Sequence, residues 1–184
     1  MARLFSWRPA VTYRGRKFKG LRGWAGKPTH PPLTDIPVAC YFLAGVFDLL
    51  SYLLAPGGTA SDLYRAGTFV IVAGAIVSAP TLLTGFWDWL KSTPRHTQAW
   101  RTANAHMAIM ITVTVVVLID ITTRLSGSAS SAELPVVILS LLALALVAFG
   151  ALYGGSLVYD YAFNVEQTFG HAYERSEEDV LPGH

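Results

Sequence analysis

Four apolar blocks, residues 36–55, 66–90, 102–123 and 134–159, leave this chain few folds to choose from. Polar, turn-rich connectors separate them: APGGTASDLYR, KSTPRHTQAWR and RLSGSASSAE. A helix of roughly 20 apolar residues, rising 1.5 Å per residue, crosses about 30 Å of hydrocarbon. The first three blocks hold one carboxylate each (Asp48, Asp88, Asp120) and the fourth holds none. Only 14% of the chain is charged, against about a quarter in a soluble domain. Short connectors make consecutive helices antiparallel neighbours. The expected fold is an all-α integral membrane bundle of four transmembrane helices over residues 35–165. A basic, aromatic N-terminal arm (1–34) precedes it and an acidic tail (166–184) follows.

Orientation follows from the cations. The arm, the middle connector and the tail hold twelve Lys and Arg, and the other two connectors hold only Arg65 and Arg124. The positive-inside rule then puts both termini in the cytoplasm of a cell with a plasma membrane of this kind. The first 34 residues lack the apolar core of a signal peptide. In the arm, Arg14, Arg16, Lys17, Lys19, Arg22 and Trp24 belong to a run of cations interleaved with aromatics. That run suits anionic lipid headgroups, or a protein partner, better than nucleic acid.

The spans read as two tandem hairpins. Asp48 and Asp120 lie toward the outer ends of spans one and three, and aromatic-flanked aspartates close spans two and four, FWDWL and VYDYA. Asp48 to Asp88 and Asp120 to Asp160 are both 40 residues. Such a repeat, each copy starting inside, has its axis along the membrane normal. Gly150 with Gly154, and Gly74 with Ser78, form small-residue faces for close helix approach. Pro80 should kink the second span. Cys40 is a small apolar residue that excludes an internal disulfide.

Histidines precede or open both odd spans. His30 stands in GKPTHPPLTDIP, whose prolines predict a stiff, non-helical entrance. His106 lies about 7–8 Å along its helix from Arg101. One inner layer then collects His30, Asp88, His106, Asp160 and Tyr161. Two neutral imidazoles across a bundle could hold haem b or a metal, and with carboxylates could hold a quinone or relay protons. The alternative is bracing: His106 donating to a neighbouring helix and His30 at the helix mouth. Asp48 and Asp120 are costly inside a span and read as a charge cluster with Arg65 or Arg124, or as a proton or ion path. His96 reads as an exposed loop residue.

KPTHPPLTDIPVACYFLAGVFDLL, GFWDWL, WRTANAHMAI and GGSLVYDYAFNV occur in that order from Gly26 to Val165. This order resembles the bacterial four-span family called domain of unknown function 2231. His30, Asp48, Asp88, His106, Gly154, Gly155, Val158 and Tyr159 match the family pattern. Lys27 and Tyr161 stand where the family has two further histidines. The resemblance implies a four-helix fold and membrane redox work beside Rieske-type iron–sulfur domains. No nucleophile or acid–base constellation is present, so the expected role is a non-catalytic subunit or accessory protein of a larger redox complex. The competing readings are an electron-transfer subunit binding haem b or quinone at His30 and His106, and a small ion or proton transporter.

Overall fold

The computed structural model describes residues 20–23, 26–127 and 129–165. It contains four helices, α1 (His30–Leu53), α2 (Gly58–Ser92), α3 (Gln98–Ser126) and α4 (Leu134–Tyr159). All four are long and apolar enough to cross a membrane. The described residues of the chain's two ends and the α2–α3 turn share one end of the bundle, here the terminal end. The α1–α2 and α3–α4 turns form the hairpin end.

Three helices outrun the apolar blocks that announce them, because hydropathy marks the match to hydrocarbon and not the last helical hydrogen bond. The main correction falls at the entrance. Residues 30–37 are helical, with Pro31 and Pro32 in the first turn. There the missing N–H groups would have had no helical acceptor, so the prolines start the helix instead of delaying it. Pro37 lies inside α1 and deprives the Leu33 carbonyl of its helical donor. The Thr81 hydroxyl of α2, 2.8 Å from Val77 O, shares its one proton with that carbonyl at 3.3 Å. α2 runs unbroken through Pro80.

The hairpins α1–α2 and α3–α4 are the most extensively packed pairs. α1 and α4 join them, and of the four neighbouring pairs α2 and α3 touch least. The shared core is Tyr41 and Ala44, Ile71, Val113 and Val117, and Ala143 and Val147, drawn from all four helices. Small residues bring backbones together, since a membrane supplies little hydrophobic drive between helices. A Cβ on Gly74 would stand 2.7 Å from Cys40 Cβ, and one on Gly150 the same distance from Met110 Sδ. Gly45 packs against Ser140 and Leu144 at the α1–α4 seam. Phe69, Ile76, Leu83, Leu118 and Leu152 face outward, as lipid contact requires.

Polar groups tie the ends. At the hairpin end the Ser51 hydroxyl donates to Ala60 O (2.7 Å) and accepts from the Ala132 N–H (3.0 Å), linking both turns. At the terminal end Trp89 Nε1–H donates to Asn104 Oδ1 at 2.7 Å, one of the few bonds between α2 and α3. The Thr97 hydroxyl caps α3 by accepting the Trp100 N–H.

Candidate functional site

Among the described residues, two constellations of chemically active side chains lie in the bundle, a buried one toward the hairpin end and a partly buried one toward the terminal end.

At the hairpin end, α3 carries Asp120 and Arg124 one turn apart, and α1 brings in Asp48. Arg124 Nε donates to Asp120 Oδ1 at 2.8 Å and Nη2 to Asp120 Oδ2 at 3.2 Å. Nη1 donates to Asp48 Oδ1 at 3.0 Å, and Nη2 also donates to Asp48 Oδ2. Nη1 reaches Thr68 Oγ1 on α2 at 3.3 Å, and the Tyr64 ring lies 5.5 Å from the guanidinium carbon. The three charged side chains are at most 1% exposed. All four carboxylate oxygens and all three guanidinium nitrogens are engaged, which is what a buried charge requires. Gly67 makes the room: a Cβ there would stand 2.7 Å from Asp48 Oδ1. Of the two cations available at this end, Arg124 is the one that bridges. Arg65 is exposed and makes no hydrogen bond to either carboxylate. It lines, with Ser61, Thr68, Arg124 and Ser130, a cavity of about 250 Å³.

Toward the terminal end lie His30 and His106. His30 Nδ1 is 2.9 Å from Thr81 O of α2, and His106 Nδ1 is 2.9 Å from Gly150 O of α4. A carbonyl only accepts, so both imidazoles carry a proton on Nδ1, and in the neutral form each presents an unprotonated Nε2. Neither Nε2 makes a hydrogen bond among the described residues. Each ring is partly buried. Each hairpin therefore supplies one histidine, from its first helix, braced on its second. The sequence repeat has these residues four positions out of step, yet their surroundings correspond.

The other expected members of this layer do not join it. Asp88 is buried and accepts the Leu21 N–H at 2.9 Å. It fastens the described part of the arm to the end of α2. Asp160 is exposed and takes the hydroxyl of Ser156 in its own helix. Tyr161 OH accepts from Thr102 at 3.4 Å. The aromatic-flanked aspartates correspond in sequence but not in surroundings, because only Asp88 has a segment of chain folded onto it. Among the described residues, no three His, Cys, Asp or Glu side chains gather as a metal site.

In the arm, Arg14, Arg16, Lys17, Lys19 and Trp24 lie outside the described residues. Arg22 pairs with Pro28 in an isolated bridge. The loop they close is tight: the Thr29 N–H and hydroxyl both donate to Leu21 O, and Gly26 adopts a φ of 66°.

Thr81, Thr68 and Gly67 carried no sequence signal that set them apart from other small residues of a membrane helix. A one-turn Asp–Arg pair at 120 and 124 was visible as an i, i+4 spacing, and its spacing alone favours Arg124 over Arg65.

The family model described as Predicted membrane protein (DUF2231) matches residues 26–167. No curated protein matches the chain, and no solved structure does.

Proposed function

The chain belongs to the DUF2231 family of predicted membrane proteins, and on that footing we propose that it is a non-catalytic, electron-transferring subunit of a larger membrane redox complex, holding haem b between His30 and His106. One observation carries this reading: the two imidazoles are presented alike, each with Nδ1–H donated to a backbone carbonyl and Nε2 unpartnered. Histidines that ligate metals are held in this way, the outer hydrogen bond fixing tautomer and ring orientation and raising ligand basicity.

The donor set fits iron. Two neutral nitrogens from opposite hairpins are a bis-histidine pair, and haem bound there supplies one-electron transfer. The chain's own part is to fix both tautomers and hold the rings. A quinone carbonyl, by contrast, needs a donor and would meet two lone pairs. A quinol hydroxyl could donate into Nε2, so quinol binding is the second reading that the same lone pairs favour.

The twelve-to-two distribution of cations supports cytoplasmic termini, and the basic arm supports contact with anionic lipid or a partner. The buried triad supports a structural role for Asp48 and Asp120, since no oxygen of either is left free for a transported ion.

Protein purified from its own membrane should show a Soret band, lost in His30→Ala and in His106→Ala. A colourless preparation without haem by mass spectrometry would overturn the haem assignment. Stoichiometric quinol in that preparation would select the second reading.

A further inference from the structure

A helical carbonyl points toward the residue four positions on, so that residue's Cβ stands beside any group approaching the carbonyl from the side. Thr81 and Gly150 are the carbonyls that hold the two imidazoles. The residues four positions on are Gly85 and Gly154, both glycine. A Cβ on Gly85 would lie 2.6 Å from His30 Cε1, 3.0 Å from Nδ1 and 3.1 Å from Nε2. A Cβ on Gly154 would lie 3.2 Å from His106 Cε1 and 3.5 Å from Nδ1. Each ring thus rests where a side chain would otherwise be. Both glycines are inside helices, where glycine costs about 0.5–1 kcal/mol relative to alanine, so neither is there for local stability.

We infer that Gly85 and Gly154 are positioning residues of the histidine pair: each uncovers the carbonyl one turn before it and seats the ring that bonds that carbonyl. They set the tautomer of each imidazole and the direction of its free Nε2. The role rests on the proposed site for its purpose, though not for its measurement. The neighbouring Gly155 is different. A Cβ there would meet only Tyr159 Cδ2, at 3.9 Å, an ordinary contact. It shows that a glycine on this helix need not be a seat.

The two seats differ in tightness, which makes the inference quantitative. At 2.6 Å the His30 ring must move, whereas at 3.2 Å the His106 ring need only yield by a few tenths of an ångström. Gly85→Ala should therefore displace its histidine fully and Gly154→Ala partially.

The test is nitrogen-15 NMR of histidine-labelled full-length protein in lipid nanodiscs, without added haem, with signals assigned through His30→Ala and His106→Ala. Wild type should show both rings as the fixed Nδ1–H tautomer. Gly85→Ala should convert the His30 signal to a tautomer mixture and leave His106 unchanged. Gly154→Ala should shift His106 alone, and by less. Gly155→Ala should change neither. If Gly85→Ala does not fold by circular dichroism and gel filtration, the milder Gly154→Ala decides the matter. Fixed wild-type tautomers in the folded glycine variants would overturn the inference, whatever haem does. In haem-loaded protein, Gly85→Ala should weaken retention about 10–100-fold, as expected on loss of a ligand's outer support. Normal tautomer behaviour with no haem in any preparation would sink the haem assignment and leave the glycine seats standing.

Discussion

Among the described residues, Arg124 holds the largest concentration of buried charge, and its removal has a sharp expected outcome. Arg124→Leu leaves Asp48 and Asp120, whose side chains are fully buried, without a counter-charge. Breaking a buried pair in this way costs about 3–5 kcal/mol. The variant should lose most of its folded yield, or unfold at markedly lower temperature in detergent. Replacing all three charges together, Asp48→Leu, Asp120→Leu and Arg124→Met, should recover much of that stability, because no buried charge is then left unpaired. A triple variant as unstable as the single one would show that the triad does more than satisfy itself. Thr81 offers a smaller test. Thr81→Val keeps the shape but removes the donor to the Leu33 carbonyl that Pro37 has freed. Loss of this shared, part-buried bond costs about 1 kcal/mol, readable as a small fall in the thermal midpoint.

At the scale of elements, Asp88 fastens Leu21 to the end of α2. Its carboxylate accepts the Leu21 N–H, a charge-assisted bond of about 1.5–3 kcal/mol. Asp88→Asn should accelerate hydrogen exchange at the Leu21 amide about 10–100-fold while the helix cores exchange as before. Unchanged protection at Leu21 would place the loop's stability elsewhere. These elements also show what was legible beforehand. The helices were, because hydropathy reports the bilayer directly. The histidine pair was nominated by its place at the openings of the odd spans. The partners of Asp88 were not, because Leu21 is 67 residues away and contributes only a backbone N–H, which any residue but proline possesses. The start of α1 was misread for a related reason. Prolines disfavour a helix interior and favour its first turn, and the difference of a few positions decides which effect governs. The seats at Gly85 and Gly154 were hidden for a third. Gly154 reads as part of a small-residue packing face with Gly150, and only the fold separates the glycine that meets Met110 from the one that meets an imidazole.

On the scale of the molecule, the two hairpins are joined mainly through α1 and α4, and the turn between α2 and α3 links helices that touch little. Breaking the chain in that turn, between residues 95 and 96, should leave two fragments that co-purify when co-expressed. Gly45→Leu in the first fragment should abolish the association by wedging the α1–α4 seam, where even a Cβ would stand 2.9 Å from Leu144 Cδ1. Fragments indifferent to Gly45→Leu would move the joining surface to another pair of helices. Four spans also require both termini on one side, and reporter fusions at each end should both register as cytoplasmic.

α2 and α1 end unevenly at the terminal end. His30, the first residue of α1, bonds the carbonyl of Thr81, and α2 continues to Ser92, about 16 Å farther on. The terminal end of the bundle is therefore a step, with Leu21 bonded to Asp88 on the part of α2 that rises beyond α1. The histidine that opens the first helix consequently lies about three turns below the end of its neighbour. Water-soluble imidazole reagents should label it slowly and membrane-soluble ones quickly. Thinning the bilayer with short-chain lipids should bring that contrast down, because the depth of the step is fixed by protein and the position of the water is not.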